Sequence, residues 1–158
     1  MNSKILSLSE LTQRANEIEQ AGQKLVLTNG CFDLLHVGHV RYLEEARRLG
    51  DLLVVAVNSD QSVRSLKGEG RPLNSAADRA EILAALACVD YVTIFSAPRV
   101  TAVIEALRPA IYVKGGDYTA DSLNPEEVAA LKKVGAEIRT VALVPGKSTS
   151  ALIERLRQ

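Results

Sequence analysis

His36 and His39 are the only histidines in the 158-residue chain, and they stand three positions apart in TNGCFDLLHVGH, 28–39. The stretch follows the apolar run LVL at 25–27, and Gly38 opens what reads as a helix. Free N–H groups at a helix start favour phosphate. Two imidazoles placed there can donate to phosphoryl oxygens and stabilise charge that grows in a transition state. The plainer alternative is a pair of surface histidines, or of core histidines with satisfied nitrogens. A zinc site would need Cys31 or Asp33 as a third ligand, and nothing else in the chain has metal-ligand spacing.

Three other stretches carry groups suited to a phosphorylated ligand. VRSLKGEGRPLNSAADR, 63–79, follows LLVVAVNSD and reads as a basic, glycine-containing loop with Arg64, Lys67 and Arg71, leading into a capped helix that bears Arg79. A mobile basic loop suits closure over polyphosphate; a solvated surface loop is the alternative. Its GEGRPL lacks the spacing of a dinucleotide fingerprint. IYVKGGDY, 111–118, places Gly115 and Gly116 after a strand, where a backbone can approach a ligand, with Lys114 and Asp117 of opposite charge alongside. PGKSTS, 145–150, ends like a phosphate-binding P-loop, but the earlier glycine would fall at Val141. What remains is a helix start offering the hydroxyls and N–H groups of Ser148, Thr149 and Ser150, of which simple capping explains only Ser148.

The elements that must position these groups alternate. LVL at 25–27, LLVVAV at 52–57, YVTIF at 91–95, IYV at 111–113 and VALV at 141–144 read as strands. The first two are continuously apolar, as expected where helices cover both faces of a parallel sheet. Between them run capped amphipathic helices: Ser7 to Gly22, Val40 to Gly50, Ser75 to Ala87, Val100 to Pro109, and Asn124 to Gly135, with a short helix carrying Leu152, Ile153 and Leu156 at the end. Strands alternating with helices predict an α/β fold, a doubly wound parallel sheet that binds ligands beyond the carboxyl ends of its strands.

Totals narrow the classes further. One domain is expected, with 1–22 as a helical extension and 23–158 as a catalytic core. Nineteen basic and nineteen acidic residues give no net charge, so neither nucleic acid nor a membrane surface is an expected partner. Cys31 and Cys88 form no framework, and no apolar run is long enough to span a bilayer, which together predict a cytoplasmic protein.

GCFDLLHVGH with STS at 148–150 resembles the cytidylyltransferase-like nucleotidyltransferases. VAVNSD, LKGEGRPLN with Arg79, and VKGGDY are similar to one branch of them, the bacterial heptose 1-phosphate adenylyltransferases. The resemblance implies a Rossmann-like sheet of about five parallel strands in the order 3-2-1-4-5. It implies transfer of a nucleoside monophosphate from ATP, with Mg²⁺ carried by the nucleotide, to heptose 1-phosphate, giving ADP-heptose and pyrophosphate. His36, His39 and Lys67 would then be catalytic. Asn29, Gly30, Cys31, Phe32, Gly38, Arg79, Lys114, Gly115, Asp117, Ser148, Thr149 and Ser150 would join the histidines in holding nucleotide. Asp33, Asn58 and Lys67 would meet the acceptor. A separate sugar kinase upstream and a homodimer are further expectations of the resemblance. A CTP-dependent enzyme for glycerol 3-phosphate is the alternative, although LVPGKST lacks the arginine usual before that branch's G-x-S-T-T. A non-catalytic nucleotide-binding module is the second alternative.

Overall fold

The computed structural model describes residues 2–116 and 122–158. Its order is α1 (Leu8–Gln20), β1 (Leu25–Gly30), α2 (Val37–Arg48), β2 (Leu52–Asn58), α3 (Asp60–Lys67), α4 (Ala76–Ala84), β3 (Tyr91–Phe95), α5 (Thr101–Leu107), β4 (Ile111–Gly115), α6 (Pro125–Val134), β5 (Glu137–Val141) and α7 (Thr149–Arg157). The five strands are parallel and lie in the order β3-β2-β1-β4-β5.

Alternation along the central strands explains their unbroken apolar runs. Leu25 and Leu27 of β1 pack with Val54 and Ala56 of β2 against α1, α5 and α6. Val26, Leu53, Val55 and Val57 face the other way, into Tyr42, Leu43 and Ala46 of α2 and Ala80 and Leu83 of α4. Two cores therefore sandwich the sheet. Each fully buried aliphatic side chain stabilises it by about 1.5–3 kcal/mol relative to exposure.

The helical segment before β1 packs onto this body. Leu6 N–H donates to the Val92 carbonyl and Val92 N–H to that of Lys4, so the chain start covers the outer edge of β3. Leu11 is fully buried with Val103 and Leu107 in one core.

Two elements differ from the sequence expectation. The last strand is Glu137–Val141, upstream of the expected VALV at 141–144. It is a sheet edge with mostly exposed side chains, so apolarity does not mark it. Register marks it instead: Gly135 stops α6 in a left-handed cap, and Glu137 pairs beside Ile111 at once. The basic stretch 63–79 is not all loop, because Ser59 caps the Ser62 N–H and starts α3, which ends on Lys67. Only the connection between α3 and α4 is irregular.

Candidate active site

A cleft of about 660 Å³ opens over the carboxyl ends of β1, β2 and β4. His36 and His39 line it at the start of α2, as do Asn29 and Gly30, the last two residues of β1. The two imidazoles cap α2 reciprocally. His36 Nδ1 accepts from the Gly38 N–H at 3.0 Å, and His39 Nδ1 accepts from the His36 N–H at 3.3 Å. Each Nδ1 is thus an acceptor, which makes each ring a neutral tautomer with its proton on Nε2. Capping, the bland role for such residues, occupies Nδ1 alone and leaves both Nε2–H groups as donors.

The rings stack with centroids 3.9 Å apart, and Phe32 lies against His39 at 5.4 Å. Phe32 holds φ at 48°, a left-handed conformation costly for a residue with a side chain, and it sits on the turn that bends the chain from β1 toward α2. Gly38 is required by contact: a Cβ there would come within 2.7 Å of the His36 ring.

Electrostatics keep the pair uncharged. Burial, and secondarily His36, hold the His39 pKa down to about 4. Burial, then the Lys147 ammonium, also lower that of His36. The unfolded chain takes up a proton at His39 below its ordinary value of 6.5, whereas the native protein refuses it until about 4. Stability contributed by neutral His39 is therefore present above pH 6.5 and is lost as pH falls toward 4. In ligand-free protein the His39 ring proton resonance is expected to stay flat from pH 8 to about 5.5 by NMR, with its midpoint near 4. A midpoint near 6.5 would contradict the capped, neutral arrangement.

Most of the other expected residues face the cleft, and some of them also hold its frame. Cys31, Phe32, Gly38, Asn58, Lys67, Lys114, Gly115, Ser148, Thr149 and Ser150 all line it. Burial pushes the Cys31 thiol up, against the opposing pull of Lys67 and Arg79. Asn29 presents its amide from β1, with Oδ1 accepting from the buried Tyr112 hydroxyl. Thr149 spends its hydroxyl proton on the Leu34 carbonyl, 2.9 Å away, and so ties α7 to the turn that carries the histidines. Ser148 Oγ accepts from the Ala151 N–H at 3.0 Å. The triple hydroxyl is therefore partly a fastening, and the N–H groups of Thr149 and Ser150 at the start of α7 remain suited to an anion. Asp117 lies outside the described residues.

Asp33, Asn58 and Arg79 hold the site's frame. The buried Asp33 carboxylate accepts from the Leu73 and Asn74 N–H groups and from Arg71 Nε, all within 3.0 Å. Burial opposes its ionisation, but those donors outweigh it and keep the carboxyl below its ordinary value. It latches the loop after α3 onto the histidine turn. Asn58 donates to Ser62 Oγ at 2.9 Å, joining β2 to α3.

Arg79 does not reach the cleft as a nucleotide ligand. It is fully buried, and its guanidinium donates to the carbonyls of Asn74, Cys31 and Asn58 and to Asp60. Those bonds occupy the fork that phosphate would need.

Several lining residues carry no motif: Tyr42, Phe95, Pro98, Arg99, Glu127 and Leu143. The rule that ligands sit beyond strand ends marks the neighbourhood of Phe95, Pro98 and Arg99, which follow β3. Glu127 belongs to α6 and had no signal beyond its place in a first helical turn.

The sequence profile of the cytidylyltransferase-like family matches residues 27–155. The bifunctional protein HldE of Geotalea uraniireducens is 51% identical over 99% of this chain, and that of Aliarcobacter butzleri 45% identical over 99%. The chain spans 31% and 32% of those proteins, about a third of their length. A lipopolysaccharide core biosynthesis protein from Thermoplasma volcanium superposes with a TM-score of 0.64 at 27% identity, covering 78% of this chain and 98% of that one. Pantoate-beta-alanine ligase from Francisella tularensis, complexed with beta-gamma ATP and beta-alanine, shares the fold at a TM-score of 0.59 and 16% identity, covering 98% of this chain and 79% of that one. Matched by that profile over most of its length, with the paired histidines inside the matched region, this chain belongs to the cytidylyltransferase-like family.

Proposed function

We propose that the chain is a nucleotidyltransferase that joins ATP and heptose 1-phosphate into ADP-heptose with release of pyrophosphate. The observation that carries the reaction type is the pair of neutral, backbone-capped imidazoles, each with Nε2–H directed away from its cap at the start of α2. An oxygen of the sugar phosphate attacks the α-phosphorus in line. A P–O bond forms there as the bond to the β-phosphate bridging oxygen breaks, and the electron pair leaves with pyrophosphate. No proton need be removed from an ionised phosphate nucleophile, so the protein's work is positioning and charge stabilisation.

His36 and His39 donate to the α-phosphoryl oxygens as charge gathers on them. Lys67, at the end of α3, draws the acceptor phosphate toward the α-phosphate and offsets their repulsion. The N–H groups at the start of α7 receive the β and γ phosphates. Among the described residues no three His, Cys, Asp or Glu side chains gather to hold a metal ion. A Mg²⁺ arriving with the nucleotide would neutralise charge on the leaving pyrophosphate. The choice of ATP and heptose 1-phosphate is supported by the resemblance in VAVNSD, LKGEGRPLN and VKGGDY, by the HldE relatives, and by the lipopolysaccharide connection of the Thermoplasma protein. A sugar kinase would supply the acceptor, from another chain or from a part of a longer one.

Direct displacement makes an isotope prediction. Labelled pyrophosphate should exchange into ATP only when ADP-heptose is present. Exchange with protein and ATP alone would show a covalent nucleotidyl-enzyme and overturn the direct mechanism.

A further inference from the structure

Among the described residues two carboxylates line the cleft, Asp33 and Glu127, and their situations differ. Asp33 is saturated by two backbone N–H groups and Arg71. Glu127 is nine-tenths buried at its side chain, and its ion-pair contact is the Lys114 ammonium at 4.0 Å, the limit for such a pair. Its backbone N–H is served by Asn124 Oδ1, so the helix cap makes no use of the carboxylate. A buried anion in a cleft built for polyphosphate is a hazard unless the ligand brings a hydrogen-bond donor to it. Like charges a few ångströms apart repel strongly in a partly buried site. Phosphates cannot lie there.

A nucleoside triphosphate has donors at one end only, the ribose hydroxyls and the exocyclic amine of the base. The cleft has a matching polarity. His36 and His39 sit over β1, and Lys67 lies on the β2 side, whereas Glu127 belongs to α6, beyond β4 on the opposite side. Elsewhere at the end of β4 the wall is apolar: Leu143 and Tyr42 pack over Gly115, 3.0 and 3.1 Å from where a Cβ there would be, and Leu143 offers a surface suited to the flat base. The base against Leu143 leaves the carboxylate for the sugar.

Resting on the nucleotidyltransferase reading, we propose that Glu127 recognises the nucleotide's ribose, its carboxylate accepting hydrogen bonds from the 2′ and 3′ hydroxyls. Lys114 holds that carboxylate in place, and the arrangement fixes which way round the nucleotide lies. Charge-assisted hydrogen bonds of this kind change affinity by about 10- to 100-fold.

The test is binding of ATP, 2′-deoxy-ATP, 3′-deoxy-ATP and purine riboside triphosphate, each with Mg²⁺, to the whole chain and to Glu127→Gln and Glu127→Ala, by calorimetry. Thermal melting establishes that each variant folds, and the near-isosteric Gln variant covers a failure of the Ala one. In the unaltered protein at least one deoxy nucleotide should bind about 10-fold or more weaker than ATP. In the variants ATP should fall to the level of that deoxy nucleotide, erasing the difference. A variant that weakens ribo and deoxy nucleotides by the same factor overturns the proposal, as does one that weakens neither. Erasure of the difference between ATP and purine riboside triphosphate would move Glu127 to the base and also overturn it. Failure of the unaltered protein to bind any of the four would overturn the nucleotidyltransferase reading itself, a distinct result.

Discussion

His39→Ala is expected to lower kcat by roughly 10²–10³ while the KM for ATP changes little, because a donor to a developing oxyanion works mainly in the transition state. The geometry adds a sharper expectation. His36 and His39 stack at 3.9 Å, and the His36 N–H is held by His39 Nδ1. Removing one ring therefore unseats the other. The double variant His36→Ala/His39→Ala should be only slightly slower than either single one, as for groups that act as a unit. Steady-state kinetics on the three variants, with melting curves to show that each is folded, provide the check. Losses that multiply would mean two independent donors and would contradict the coupled turn.

Arg79→Met should cost about 3–5 kcal/mol of stability. The change leaves the carbonyls of Cys31, Asn58 and Asn74 without their donor, and Asp60 without its partner. Asp60 is partly exposed and can turn to water, whereas the cost at the carbonyls stays. Arg79→Lys should rescue little, since an ammonium cannot reach partners spread over four segments. Urea unfolding at neutral pH measures both. Should Arg79→Lys match the unaltered protein in stability yet lose nucleotide affinity, Arg79 would be a ligand to phosphate after all.

Residues around Arg79 also show what the sequence can and cannot disclose. The covered strands β1 and β2 were legible because both faces must be apolar, and the helices because Ser7, Ser75, Asn124 and Gly135 punctuate them. The edge strand β5 was not, since an edge with one partner and mostly exposed side chains needs no apolar run. The paired histidines were legible as a cluster of rare, chemically capable residues after a strand. Their tautomers were not, because these depend on which backbone N–H each Nδ1 meets. An arginine in a basic stretch looks the same whether it greets phosphate or props up three carbonyls; only burial separates the two. Glu127 was illegible for the converse reason: an acidic residue in a first helical turn is ordinary, and the cleft beside it arises only when β4 and α6 are folded together.

The decisive assay is pyrophosphate release by the purified chain with Mg²⁺, crossing ATP and CTP against heptose 1-phosphate and glycerol 3-phosphate. Release is expected with ATP and heptose 1-phosphate and none above background with the other pairs. Release with CTP and glycerol 3-phosphate alone would contradict the substrate assignment. Absence of release from every pair, in protein that binds ATP, would contradict the heptose acceptor and give weight to a nucleotide-binding module.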